Sequence, residues 1–167
     1  MSNPMELETV HLRLVLQSTE AVLAQIEAMS PADQAEVSPD WIAQLRAAPS
    51  PDPWTHGFAI VLKTSSAVIG ICGYKGPPSS DGVVEIAYSV NADQQGRGYA
   101  TEAAEALTQH ALKSPQVRLV CAHTRPEENA STRVLTKCSF RWVGEVNDPE
   151  DGLVWRWEHT GLKLEVK

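Results

Sequence analysis

The sequence is poor in cysteine, and the few cysteines it has form no motif. Cys72, Cys121 and Cys138 are odd in number, widely spaced and surrounded by apolar residues, with no Cys-x-x-Cys pair. A disulfide framework is therefore not indicated. A catalytic thiol would need an accessible, electropositive setting, which the flanking residues do not supply. We expect three buried, reduced thiols in a reducing compartment.

Metal-ligand spacing, long apolar runs and a leader sequence are also missing. The five histidines show no metal-ligand spacing, so no metal site is predicted. No apolar run approaches the roughly 18 residues that a transmembrane helix needs. Residues 1–6 contain neither a basic region nor an apolar core, so we expect no signal peptide and a cytoplasmic location.

Positive charge is in short supply, since 14 basic and 21 acidic residues give a net charge of −7. This balance argues against nucleic acid or an anionic membrane as a partner, because both attract positive charge. It is compatible with a cationic amine as substrate. A chain of 167 residues, 43% of them apolar, suits a single domain with its core at about residues 10–159. The composition is compatible with a homodimer but does not indicate one.

Hydrophobic periodicity predicts a mixed α/β protein with the order β-α-α-β-β-β-α-β-α-β-β. A helix joins the strands predicted at 83–90 and 117–123, so these two should be parallel neighbours with a right-handed crossover. The last two strands should form an antiparallel pair, and residues 161–167 a tail or a short edge strand. Strands are predicted at 10–16, 58–63, 68–74, 83–90, 117–123, 140–146 and 153–158, and helices at about 19–29, 39–47, 100–112 and 129–137.

Residues 94–102 read Gln-Gln-Gly-Arg-Gly-Tyr-Ala-Thr-Glu and link the central strand to the next helix. Gly96 and Gly98 allow backbone conformations that a Cβ atom would block. The free N–H groups and positive dipole end of the helix then favour a phosphate or diphosphate. The segment is not a P-loop, and Thr101 occupies the third glycine position of a dinucleotide-binding fingerprint. These residues alone leave open a tight turn that only starts a helix.

Gln95-x-x-Gly98-x-Ala100 resembles the Gln/Arg-x-x-Gly-x-Gly/Ala signature of the GNAT superfamily of acetyl-CoA-dependent N-acetyltransferases. Residues 85–90, Glu-Ile-Ala-Tyr-Ser-Val, resemble the central strand of that superfamily. Residues 129–140 resemble the helix and following strand start of its RimJ/RimL-type branch. The similarity extends from about residue 12 to residue 157.

The resemblance implies a GNAT fold, with a mixed sheet of about six to seven strands and about four flanking helices. In that fold the two central parallel strands splay apart and admit the pantetheine arm of acetyl-CoA, the expected cosubstrate. Tyr88 to Val90 should pair with pantetheine through their main chain, and residues 95–101 should hold the diphosphate. The implied cofactor-binding residues are Tyr88, Ser89, Val90, Gln95, Gly96, Arg97, Gly98, Tyr99, Ala100, Thr101, Asn129 and Ser131.

Glu85 and Ser131 are the predicted catalytic residues. Glu85 is a charged residue in an otherwise apolar strand, and buried carboxylates can act as bases near neutral pH. It could instead pair with Arg118 or Arg141, or be solvated. The resemblance implies that the Ser131 hydroxyl contacts the CoA sulfur, although serine is also common in the first turn of a helix.

Three positions depart from the GNAT pattern. Counting back from Phe140, Glu128 falls where the family has a pantetheine-contacting asparagine, and Asn129 comes one position later. Leu135 is nearest to the tyrosine that acts as general acid in many GNAT enzymes, so that role is vacant unless Ser131 or water fills it. Ser139 stands where glycine usually precedes the phenylalanine.

The predicted activity is transfer of the acetyl group directly to an amine, either a small molecule or a protein N-terminus, through a ternary complex. A non-catalytic acyl-CoA-binding module is the alternative. A nucleotide- or phosphate-binding protein using the same turn is a third reading. Trp54, His56, Tyr74 and Trp155 are candidate acceptor-site residues, although each would more commonly serve in packing.

Overall fold

The structure, a computed structural model, describes residues 5–149 and 151–161 and contains an eight-stranded sheet. The strands are β1 Glu6–Glu8, β2 Leu12–Leu16, β3 Phe58–Leu62, β4 Val68–Tyr74, β5 Val83–Val90, β6 Leu119–Thr124, β7 Arg141–Asp148 and β8 Gly152–His159. The helices are α1 Thr19–Glu27, α2 Pro31–Ala35, α3 Pro39–Ala47, α4 Pro53–His56, α5 Tyr99–Leu112 and α6 Ala130–Lys137. The predicted mixed α/β class is confirmed. The tail predicted at residues 161–167 lies outside the described residues from 162 onward.

Three short elements interrupt the predicted order. Strand β1 has only three residues, and α2 and α4 begin at Pro31 and Pro53. The side chains of Ser30 and Asp52 cap these helices by accepting backbone N–H bonds. Proline is well suited to the first helical turn, where its missing N–H costs nothing. The sequence predictions did not include either helix.

The sheet order is β1-β2-β3-β4-β5-β6-β8-β7, and β5–β6 is the parallel pair that α5 connects. The antiparallel hairpin of β7 and β8 is confirmed, with β8 inserted between β6 and β7. The parallel register contains only Val83–Leu119, Val84–Val120 and Glu85–Cys121. Beyond Glu85, β5 continues to Val90 paired with β4 alone. The two strands therefore separate at a fork just after the Glu85–Cys121 pair, as the GNAT resemblance implied.

The main core lies between the sheet and α5. Leu12, Leu14 and Leu16 alternate into it from β2, whereas Val10 is 80% exposed and precedes the strand. Strand β2 thus starts two residues later than predicted. From α5, a buried stripe packs on the same core and consists of Ala103, Ala104, Leu107 and Ala111. Burial of these apolar side chains fixes where α5 begins above the end of β5.

The three cysteines are buried and unpaired, as expected. Burial raises the pKa of Cys72 and Cys138 to about 12 and that of Cys121 to about 11. These thiols are protonated at neutral pH and are poor nucleophiles. None of the described helices combines the length and apolar character needed to cross a membrane.

Glu102, in the first turn of α5, ties that helix to the β1–β2 turn. Its carboxylate accepts hydrogen bonds from the Thr9 hydroxyl at 2.7 Å and the His11 backbone N–H at 3.0 Å, and His11 Nδ1 lies 2.7 Å away. Partial burial raises the pKa of Glu102, but these hydrogen bonds outweigh it and hold the pKa below its usual range. The charged carboxylate therefore stabilises the start of α5.

We expect Glu102→Gln to lower the free energy of unfolding by about 1–3 kcal/mol at pH 7, because charge-assisted bonds are lost. A folded-state pKa below the unfolded one stabilises the protein above the unfolded value near 4.3, and this stabilisation is lost as pH falls through the folded value. The difference between variant and wild type should therefore shrink in urea melts below about pH 4. Glu105→Gln, at an exposed α5 position, is the control. A pH-independent difference would contradict this account.

Candidate active site

The segment between β5 and α5 contains two glycines with left-handed backbone angles. Residues 92–94 form a short 3-10 helix, and then Gly96 and Gly98 have φ values of 80° and 86°. A Cβ atom added at either glycine would meet nothing within 4 Å. The backbone conformation, not crowding by the protein, therefore requires glycine at both positions.

Backbone N–H groups collect at this turn without protein acceptors. Gly98 is the N-cap of α5 and provides no side-chain cap. In the part of the chain that the structure describes, no carbonyl or side chain accepts a hydrogen bond from the N–H groups of residues 96–101. The Gln95 side-chain amide donates to the Val90 carbonyl at 2.9 Å and ties the loop to β5. The unpaired N–H groups and the α5 dipole favour an anion at this point.

A cavity of about 400 Å³ lies in front of these N–H groups, between the end of β5, the glycine loop and α6. Most of the predicted cofactor-binding residues line it, but Arg97 and Asn129 do not. Its lining residues are Tyr88, Ser89, Val90, Gln94, Gln95, Gly96, Gly98, Tyr99, Ala100, Thr101, Ala130, Ser131, Arg133, Val134 and Lys137.

Asn129 forms the N-cap of α6. Its side-chain oxygen accepts from the Thr132 N–H at 3.0 Å, while the Thr132 hydroxyl lies 2.9 Å from the Asn129 N–H in a reciprocal capping box. Ser131 is consequently not the cap, and its side chain lies within hydrogen-bonding reach of the Tyr88 hydroxyl. Glu128 borders a neighbouring cavity instead. Arg97 is exposed to solvent.

Arg133 and Lys137 on α6 also line the cavity, and the sequence reasoning missed both. Their spacing of four residues places them on one helical face, which is a signal the sequence contained. That this face points at the glycine loop becomes clear only from the structure, in which α6 packs beside α5. The two cations supply positive charge next to the unpaired N–H groups in a protein of net charge −7.

The open edge of β5 offers further backbone groups. The Lys75 N–H donates to the Glu85 carbonyl at 2.9 Å, and the Asn91 N–H donates to the Ile69 carbonyl at 2.7 Å, so both residues face β4. Because strand backbone groups alternate sides, those of Tyr88 and Val90 point away from β4, beyond the fork. The Val90 carbonyl already accepts from Gln95. The Tyr88 main chain and the Val90 N–H are therefore available to an extended ligand.

At the fork, Glu85 meets two basic side chains. Its Oε2 lies 3.0 Å from His123 Nδ1 and 3.3 Å from Lys75 Nζ. Within residues 5–149 and 151–161, neither of the arginines considered from sequence forms an ion pair with Glu85, and Arg118 donates to the Asp81 carbonyl. Burial alone lowers the pKa of Lys75, but Glu85 outweighs it and raises that pKa above its ordinary value.

Tyr88 and Ser131, which both carry a hydroxyl group, line the cavity near α6. The Tyr88 hydroxyl lies 3.4 Å from the Ser131 carbonyl oxygen, and burial raises the pKa of this phenol well above its usual range. Tyr88 is therefore protonated at neutral pH. Leu135, at the position nearest to the usual tyrosine, is fully buried in the core.

Three of the four candidate acceptor-site residues serve in packing. His56 is buried and contacts the Thr19 hydroxyl at 2.8 Å, while the Tyr74 hydroxyl donates to the Leu107 carbonyl. Trp54 packs against Tyr74 with the ring centroids 4.8 Å apart and the ring planes tilted by 58°. Trp155 lines a cavity of about 360 Å³, which adjoins the first through shared α6 residues.

Comparison with known families identifies this arrangement. A family model described as an acetyltransferase (GNAT) domain matches residues 4–141. That match covers most of the chain, and the chain therefore belongs to the GNAT acetyltransferase family. The described residues contain no group of three or more His, Cys, Asp or Glu side chains arranged to hold a metal ion.

Individual relatives are similar over a shorter span. The chain is 31% identical over 93 residues to the uncharacterized N-acetyltransferase p20 of Bacillus licheniformis, which is 56% of this chain and 52% of that protein. The chain thus spans about half the length of the curated relatives it matches.

Solved structures match over nearly the whole chain. A GNAT-family acetyltransferase from Bacillus anthracis has a TM-score of 0.67 and 19% identity, covering 93% of this chain and 98% of that one. RimL, a ribosomal L7/L12 alpha-N-protein acetyltransferase solved with coenzyme A, has a TM-score of 0.67 and 15% identity, with coverage of 93% and 98%. At these identities the likeness shows the fold alone.

Proposed function

We propose that the protein transfers the acetyl group of acetyl-CoA directly to an amine while both substrates are bound. The observation that carries this proposal is the set of N–H groups at residues 96–101, which have no acceptor among the described residues and belong, except for Arg97, to residues that line the cavity beyond the fork. Membership of the GNAT family supports acetyl-CoA as donor. The coenzyme A bound to RimL, a protein of the same fold, is consistent with it.

Different residues of the cavity would bind different parts of the cosubstrate. The N–H groups of residues 96–101 would hold the diphosphate, with Arg133 and Lys137 adding positive charge. The Tyr88 main chain and the Val90 N–H would pair with the pantetheine amides along the open edge of β5. This arrangement brings the thioester towards the fork. Asn129, whose side-chain oxygen caps α6, and exposed Arg97 have weaker support as contacts.

The transfer needs a proton acceptor for the amine and a donor for the leaving thiolate. Glu85, in the charged group at the fork, belongs to the proton path of the amine. The Ser131 hydroxyl at the cavity wall is the proposed contact for the sulfur, and the Tyr88 hydroxyl beside it is a second donor. A backbone N–H near the fork can stabilise the oxyanion.

The finer assignments are proposals of the same kind. The α6 sequence and the likeness to RimL support the RimJ/RimL-type branch. The acceptor is a small amine or a protein N-terminus. We also propose a single catalytic domain, and a cytoplasmic location that the buried, unpaired cysteines support.

Acetyl-CoA binding is the first test. At about 100 times its Kd, a ligand stabilises the folded state by about 2.7 kcal/mol. For a chain of this size we therefore expect acetyl-CoA to raise the melting temperature by roughly 5–10 °C in differential scanning fluorimetry. ATP and NAD, which share the diphosphate, should give much smaller shifts. Equal shifts from all three would support a general nucleotide-binding protein instead.

Turnover is the second test of the same proposal. We expect a thiol reagent to detect free CoA when acetyl-CoA is mixed with the correct member of an amine and N-terminal peptide panel. Mass spectrometry should find the acetyl group on that amine. Binding of acetyl-CoA without CoA release across the panel would favour a non-catalytic acyl-CoA-binding module, which Leu135 in place of the usual tyrosine also suits.

A further inference from the structure

His123 occupies a special place at the fork. Glu85 and Cys121 are the last paired residues of β5 and β6, so their side chains lie on one face of the sheet. His123, two residues after Cys121, is on that same face and just beyond the point where the strands separate. The pantetheine arm proposed above would end at this point. His123 does not line the cavity itself, but the thioester of an arm bound in this way would lie beside its ring.

One ring nitrogen of His123 faces a carboxylate, and the other has no partner among the described residues. Nδ1 lies 3.0 Å from Glu85 Oε2. Nε2 has no partner among the described residues, yet no side-chain nitrogen or oxygen in that part of the chain is both buried and unpartnered. Nε2 must therefore reach solvent. An imidazole whose Nδ1 faces a carboxylate at ion-pair distance, with Nε2 open to a substrate, is an arrangement in which a histidine can act as a general base.

Glu85 is less well placed to meet the amine itself. Its Oε2 is in contact with both His123 and Lys75. An incoming amine would have to displace one of these groups to reach Oε2, which leaves only Oε1 of the carboxylate open to it. The exposed edge of His123 offers a proton acceptor without such displacement.

We propose that His123 is a catalytic residue whose Nε2 takes the proton of the acceptor amine, and that Glu85 is a positioning residue that acts through His123. The proposal rests on the acetyl transfer proposed above. The amine nitrogen forms a bond to the thioester carbonyl carbon, the carbon–sulfur bond breaks, and CoA leaves as the thiolate. The amine proton passes to Nε2, and the Glu85 carboxylate stabilises the resulting imidazolium. The thiolate is protonated from the Ser131 side of the cavity or by water.

Several charged groups surround the ring. Glu85 on β5 and Lys75 after β4 face it from one side. Cys121 lies on its own strand. From β8, Arg156 is its register partner, and Arg156 Nε donates to Glu158 at 2.8 Å. Opposite charges are thus paired around His123.

The test compares His123→Gln and Glu85→Gln, with His159→Gln at the far end of the β6–β8 pair as the matched control. In wild type, kcat/KM for the amine should rise through the near-neutral range in which imidazole bases act. We expect His123→Gln to lower kcat/KM by about 100-fold or more and to remove this rising limb of the pH profile. Glu85→Gln should keep the limb, with a smaller loss of kcat/KM. His159→Gln should resemble wild type.

Acetyl-CoA binding separates failure of this proposal from failure of the proposed function. Both variants should keep the wild-type thermal shift with acetyl-CoA, and His123→Asn serves as a second substitution if His123→Gln does not fold. Wild-type kcat/KM with an intact limb in either His123 variant would overturn the role of His123. Wild-type protein that releases no CoA with any amine would instead overturn the proposed acetyl transfer.

Discussion

Replacing Gly98 by valine should weaken acetyl-CoA binding by about 100-fold or more, which corresponds to about 2.8 kcal/mol. Gly98 has a φ of 86°, a conformation that costs other residues about 1–2 kcal/mol and β-branched residues more. Valine would drive the loop into another conformation, and the N–H groups of residues 96–101 would no longer converge. Isothermal titration calorimetry with acetyl-CoA measures the change directly.

Gly76→Val is the matched control for this prediction. Gly76 also has a positive φ, 102°, and an added Cβ atom would meet nothing within 4 Å, but it does not line the cavity. This variant should lose thermal stability from the same kind of backbone strain and keep the wild-type Kd. Unchanged affinity in Gly98→Val would mean that the diphosphate does not use these N–H groups.

The parts of the fold that local signals specify agree with the sequence predictions. The strands β4 and β5 have the predicted bounds, 68–74 and 83–90, because turn residues delimit their apolar runs. The strand–turn–helix at residues 94–102 was predictable because glycine at positive φ and the free first turn of a helix are both local properties. The backbone N–H groups that border the cavity belong to this same stretch, so they could also be predicted.

Contacts between elements that are distant along the chain could not be predicted from the sequence. Lys75, Glu85 and His123 come together only because β4, β5 and β6 pair in a particular register. The sequence analysis considered Arg118 and Arg141 as partners of Glu85, which have the correct charge but lie in the wrong positions. The spacing of Arg133 and Lys137 places them on one face of α6, but the sequence does not show that this face lies at the site, because its direction depends on tertiary packing.

The close approach of β4 to β5 yields the prediction with the largest effect on stability. Gly70 on β4 pairs with Val90 at the end of β5. A Cβ atom added at Gly70 would overlap the Ser89 carbonyl oxygen and lie 3.0 Å from Val90 Cα. Both are backbone atoms, so no side-chain rotation can relieve the overlap. The two strands would have to separate where the cosubstrate is proposed to bind.

We therefore expect Gly70→Ala to lower the free energy of unfolding by on the order of 3 kcal/mol in urea denaturation. It should also weaken acetyl-CoA binding, because Ser89 and Val90 line the cavity. Ile71→Ala is the control in the same strand, where a side chain 42% exposed is removed and a loss below about 1 kcal/mol is expected. Wild-type stability in Gly70→Ala would show that the strands yield easily at this point. The edge of β5 could then not act as the rigid pairing surface that the proposed pantetheine contacts require.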